Sequence, residues 1–215
     1  MDHSDGSIDI SPKALMKVIW ALPQVDGWVV DAVDKDSHAK GLRLIKQMIE
    51  AGADQSRAVR FGHEPSASTP IMIAAANDDA ICLSLLLSLP LANPGFVDHE
   101  GDCALTMAAR YGCSSCVAML APLCDPNIKD SLGRTALACA MQNGHSASVA
   151  ILAPITDLSA RNDKYETARQ FAERHQAARQ YIPLLDSIID QQILASAIGG
   201  GNVGPAEHIG RRRSL

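Results

Sequence analysis

The sequence predicts an all-α protein, a solenoid of about four to five stacked helix-turn-helix units with a capping helix at each end. Aromatic residues make up only 4% of the 215 residues, although 47% are hydrophobic. Small aliphatic side chains must therefore fill the core, and such side chains let helices pack closely together. The second observation is a repeat. Residues 101–132 and 133–164 are identical at 12 of 32 positions, whereas unrelated segments would share about two at ordinary residue frequencies.

The elements follow one another in a fixed order. Residues 11–22 begin with Ser-Pro, which is typical of a capped helix start, and we expect this helix to shield one end of the stack. Each unit then opens with Gly-x-Thr-Ala-Leu or a close variant, whose Thr hydroxyl caps a first helix. Gly112 and Gly144 end that helix in a turn of positive φ. Pro122 and Pro154 stop the second helix, and a polar finger loop leads into the next unit.

The repeat places the units at about 28–65, 66–100, 101–132, 133–164 and 165–196. The two outer units depart from the pattern. The first opens with a poor helix over residues 28–35 and carries a long loop over 55–68. The last has Arg169 where other units have Leu or Ile, which suits a face turned towards water. Pro183 is expected to be the first residue of a closing helix, and residues 197–215 a flexible Gly/Arg-rich tail.

Short motifs inside the units match those of a known repeat family. Thr69-Pro70-Ile71-Met72 is close to the Thr-Pro-Leu-His sequence that opens its units, and Gly144-His145 matches its turn between helices. Residues 45–54 match its second helix and Gly-Ala-Asp ending, and Asp125-Pro126-Asn127 repeats the loop that follows. On these motifs the chain resembles the ankyrin-repeat family over roughly three quarters of its length. We assign the repeat domain to residues 28–196 and the N-terminal extension to residues 1–27.

The resemblance implies a non-enzymatic protein-interaction module without a cofactor. In this family the finger tips and the exposed side of each first helix form a concave surface that binds partner proteins. Carried over by position, the expected partner-contacting residues are His99, Glu100, Asp102, Arg110, Tyr111, Ser131, Leu132, Arg134, Gln142, Asn143, Asp163, Lys164, Arg174 and His175. Arg110 and Tyr111 are the expected anchors, because Arg and Tyr are enriched at binding hot spots.

Charge and hydropathy exclude other classes of function. The net charge is −5, and neither a basic excess nor an aromatic stacking platform for nucleic acid is present. The N-terminus is acidic and polar, where a secretory signal needs a basic start and an apolar stretch. The longest apolar run, over residues 81–92, falls short of the ~20 residues of a membrane helix. We expect a monomeric cytoplasmic protein that binds another protein, but neither nucleic acid nor membrane.

Two alternative functions remain open. Cys113 and Cys116 lie one helical turn apart, a spacing that suits a redox or metal site. The repeat favours a structural role, because Cys116 occupies the position held by Cys82 and Ser148 in the neighbouring units. The second alternative is a secreted bacterial effector that acts on a host protein. Residues 211–215 resemble the Arg-rich C-terminal signals of type IV secretion substrates, and also a basophilic-kinase site with Ser214 as acceptor.

Overall fold

Ten α-helices and one short 3₁₀ helix form the regular structure of the computed structural model, which describes residues 8–22, 32–60, 67–162, 164 and 166–199. Strand-like pairing among the described residues is limited to two isolated β-bridges, Val59 with Ser68 and Val97 with Cys103. The helices are α1 (Pro12–Trp20), α2 (Ala32–Glu50), α3 (Pro70–Ala76), α4 (Ala80–Ser88), α5 (Ala104–Tyr111), α6 (Ser114–Leu120), α7 (Ala136–Asn143), α8 (Ser146–Leu152), α9 (Ala168–Arg174), the 3₁₀ helix Gln176–Tyr181 and α10 (Ile182–Gly199). The predicted all-α class is confirmed.

The helix ends follow the predicted signals. The hydroxyls of Thr69, Thr135 and Thr167 each accept a hydrogen bond from the amide three residues later, at 3.3 to 3.4 Å. These contacts cap α3, α7 and α9. Gly112 and Gly144 follow α5 and α7 with φ values of 82° and 79°, a left-handed conformation that glycine adopts without strain.

The helices stack in two layers. The first helices of successive units, α3, α5, α7 and α9, pack side by side, and the second helices α4, α6 and α8 pack behind them. The core between the layers consists mainly of Leu, Ile, Met, Ala, Val and Cys side chains, with few aromatic residues, as the composition predicts. Every helix in the described ranges is too short or too polar to span a bilayer.

The structure corrects the predicted first unit. Residues 32–50 form the single helix α2 rather than the end of a first helix, a turn and a second helix; residues 28–31 lie outside the described residues. Helix α1 packs against both α2 and α3, where the first helix of this unit was expected. Gly41 lies against Leu22, a residue that follows α1, and a Cβ at Gly41 would lie 2.3 Å from Leu22 Cδ2, so a larger residue there would require the Leu22 side chain to move.

A buried side-chain hydrogen bond joins α2 to the stack. His38 Nε2 lies 2.7 Å from Asp79 Oδ2, and both side chains are 6% exposed. The other carboxylate oxygen of Asp79 accepts a hydrogen bond from the amide of Cys82 at 2.8 Å and so caps α4. One carboxylate therefore joins α2 to the second unit.

The C-terminal end closes the stack with polar contacts. Pro183 is the second residue of α10, so the closing helix is confirmed, although the 3₁₀ helix before it was not predicted. Arg169 is partly exposed and binds Asp186 at 2.6 Å and Glu173, as a terminal unit requires. The tail was predicted to begin at residue 197, but residues 197–199 belong to α10. The rest of the predicted tail, from residue 200, lies outside the described residues, as do its secretion-like and kinase-site motifs.

Candidate protein-binding surface

Each finger loop is held by the same side-chain contact. Asp98, Asp130 and Asn162 recur every 32 residues at the start of the last three described fingers. In each, the Oδ1 atom accepts hydrogen bonds from the amides two and four residues later, at 2.8 to 3.0 Å. Backbone bonds of 2.9 Å between the first and fifth residues close the same loops. Sequence reasoning missed these residues, although their spacing equals the repeat period.

A chain of ion pairs, which we call the arginine ladder, crosses the inner surface between α5 and α7. It consists of Arg110, Arg134, Asp102 and Asp130. Arg110 donates two hydrogen bonds to Asp102, at 2.6 and 2.7 Å, and reaches Asp130 Oδ2 at 3.3 Å. Arg134 donates to the same Asp130 oxygen at 2.7 and 2.9 Å and to Gln142 Oε1 at 3.0 Å. Burial alone would raise the pKa of Asp130, but side-chain and backbone hydrogen bonds from Arg134 outweigh it and lower that pKa.

The ladder changes the interpretation of two predicted contact residues. Asp102 is buried, with a side chain that is only 10% exposed, so it positions Arg110 rather than lying on the surface. Arg110 is 26% exposed and held by two carboxylates. Its guanidinium is therefore part of the framework and is a poorer candidate anchor than Tyr111, which is 58% exposed.

A surface pocket of about 160 Å³ lies between the last two described fingers and the helices that follow them. Six of its lining residues belong to the predicted contact set. They are Leu132, Arg134, Gln142, Lys164, Arg174 and His175, and the pocket also includes Asn162 and Phe171, which the sequence did not single out. We call this pocket, with all eight of its lining residues, the terminal pocket.

Phe171 and His175 shape one side of the terminal pocket. Their rings stack with centroids 4.0 Å apart and an interplanar angle of 26°. His175 Nδ1 donates to the carbonyl oxygen of Phe171 at 2.9 Å. Phe171 is buried, with 4% exposure, so it contributes an apolar wall rather than an exposed ring.

The predicted contact residues outside the terminal pocket lie at the loop tips and helix ends. His99, Ser131 and Asn143 are exposed. The amide of Ser131 donates to the carbonyl of Glu100, which ties one finger to the next. Asp163 lies outside the described residues.

The cysteines behave as core residues. All six are free and buried, and the equivalent positions Cys82, Cys116 and Ser148 are each 0% exposed. Burial raises the pKa of Cys113 to about 11 and that of Cys124 to about 12, and a protonated thiol is a poor nucleophile. Across the described ranges, no group of three or more His, Cys, Asp or Glu residues is arranged to hold a metal ion.

Comparison with family models agrees with this architecture. A model of ankyrin repeats in three copies matches residues 37–130 and 71–162, together more than half of the chain. The chain belongs to the ankyrin-repeat family. Ankyrin repeats are generally protein–protein interaction modules and are typically not enzymes. A search of curated proteins finds no match.

Proposed function

We propose that this ankyrin-repeat protein binds a partner protein through the inner surface of its last three units, and that it acts by binding rather than by catalysis. The observation that carries the proposal is the terminal pocket, where six of the predicted contact residues from two fingers and two helices meet. Six free cysteines suit a reducing compartment, so we include a cytoplasmic location in the proposal.

Rigid fingers support this function. The loops carry their own Asp or Asn clamps, so little conformational entropy is lost when a partner contacts them. Exposed Tyr111 and Leu132 supply apolar area on the same set of first helices and fingers. Aromatic residues in such positions commonly carry much of the binding energy.

The test removes these two side chains. The Tyr111→Ala/Leu132→Ala variant should retain the wild-type helical circular dichroism, because both side chains are more than half exposed. Ile81→Ala/Leu123→Ala is a matched control, since those side chains are 58% and 50% exposed, Ile81 on second helix α4 and Leu123 in the turn after α6. Affinity capture with mass spectrometry should yield a protein bound by the wild type and the control but reduced about tenfold with the test variant. Identical capture by all three proteins would contradict the proposed surface.

A further inference from the structure

We infer that the terminal pocket recognises an acidic segment of the partner, in which an Asp or Glu carboxylate lies beside an apolar side chain. The inference rests on the proposed function and specifies the chemistry of the ligand at that same surface.

The charge of the terminal pocket is opposite to that of the whole chain. Arg134, Lys164, Arg174 and His175 line it, and no acidic side chain of the described residues does so, although the net charge of the protein is −5. An acidic ligand is therefore repelled by most of the molecule and attracted at this place.

Internal carboxylates orient the two arginines and leave the lysine uncompensated. Arg134 is held by buried Asp130, and Arg174 lies 2.9 Å from Glu166, whose side chain is 18% exposed. Arg110 is likewise held by Asp102. Such pairs fix the guanidinium groups, and their remaining N–H groups are available as donors.

Lys164 carries the uncompensated charge. It is exposed at the finger tip, and its ammonium has no ion-pair partner among the described residues. Among the described residues, the carboxylates of Asp102, Asp130 and Glu166 offset the three arginines of the ladder and pocket. The positive charge of the described side chains at this surface therefore depends on Lys164. A single carboxylate from a partner would neutralise it.

The apolar part of the terminal pocket selects the residue beside that carboxylate. Leu132 is exposed at the rim, and Phe171 forms a wall. Because drug-sized ligands need roughly 300–1,000 Å³, a pocket of about 160 Å³ fits a side chain of a peptide rather than a small molecule.

A nucleic acid is a poorer fit. Single-stranded nucleic acids need several uncompensated cations and exposed aromatic rings on which bases stack. The terminal pocket has one uncompensated lysine among its described residues, and its Phe171 ring is buried.

Fluorescence polarisation at low salt tests the inference with a short labelled peptide of alternating Glu and Leu and its Gln/Leu counterpart. We expect the Glu/Leu peptide to bind at least about tenfold more tightly, which corresponds to about 1.4 kcal/mol. Lys164→Gln should weaken its binding about fivefold. Arg43→Gln removes the same charge from an exposed position on α2, at the other end of the stack, and should leave binding unchanged.

Several results would overturn the inference: no binding of the Glu/Leu peptide, equal binding of both peptides, equal effects of Lys164→Gln and Arg43→Gln, or tighter binding of an RNA oligonucleotide of the same charge. The proposed function fails by a different result, namely unchanged partner capture by the Tyr111→Ala/Leu132→Ala variant. The two failures are therefore distinguishable.

Discussion

Replacing Asp130 with Asn is expected to lower the free energy of unfolding by about 2 kcal/mol. The Oδ2 atom of Asp130 accepts two hydrogen bonds from Arg134, at 2.7 and 2.9 Å, and a longer one from Arg110. The Asn side chain retains an oxygen for the loop amides, as Asn162 shows in the next finger. It lacks the charge that holds the guanidinium groups.

The magnitude follows from burial. Hydrogen bonds to charged groups contribute about 1.5–3 kcal/mol each. The side chains of Arg134 and Arg110 are 21% and 26% exposed, so water replaces part of what they lose, and Arg110 retains Asp102. We therefore expect that the loss of both hydrogen bonds from Arg134 costs about as much free energy of unfolding as one hydrogen bond to a charged group, about 2 kcal/mol.

Asp98→Asn is the matched control, because Asp98 occupies the same position one repeat earlier. Its Oδ2 atom is buried without a hydrogen-bond partner among the described residues. Removal of that charge should leave the free energy of unfolding within about 0.5 kcal/mol of the wild type, or raise it. Urea unfolding at pH 7, followed by far-ultraviolet circular dichroism, measures both variants. Equal destabilisation by the two substitutions would refute the role of the arginine contacts.

The destabilisation caused by Asp130→Asn should also depend on pH. The pKa of Asp130 is lowered below its ordinary value of 3.8, so its charge stabilises the fold fully above that value. The contribution is lost as the pH falls through the lower pKa of the folded state. The stability difference between the wild type and Asp130→Asn should therefore stay constant from about pH 7 to 5 and shrink below about pH 4. A difference that grows in acid would contradict this assignment.

Two further predictions concern the turns after α5 and α7 and the buried cysteines. Gly112→Ala should destabilise the protein by about 1 kcal/mol more than Gly144→Ala. Both glycines have positive φ, but only at Gly112 does a Cβ meet the His145 ring, 2.5 Å from its Nδ1 atom; comparable urea midpoints for the two variants would count against that contact. At pH 8, Cys113 and Cys124 should react with iodoacetamide only when the folded structure opens and exposes their thiols to solvent, because burial raises their pKa values to about 11 and 12. Labelling at the rate of the urea-unfolded chain would show that these thiols are accessible and ionised.

Much of the fold was predictable because its determinants are local and repeated. Thr135 begins a helix and Gly144 ends one through contacts within a few residues of each position, and the 32-residue period multiplies these signals. The first unit was not predictable in the same way. Helix α1 packs against α2 and α3 where the first helix of the unit was expected, a contact between separate segments that no local pattern reports.

The sequence alone determined the repeat, the helix boundaries of the central units and the family resemblance, and it identified most residues that line the terminal pocket. Only the tertiary structure decided what those residues do. It showed that Asp102 and Asp130 hold Arg110 and Arg134 in place, and that Phe171 closes one side of the pocket. The reason is physical: periodicity encodes which face of an element is buried, whereas charge compensation depends on distances between neighbouring units. Those distances exist only after the units stack.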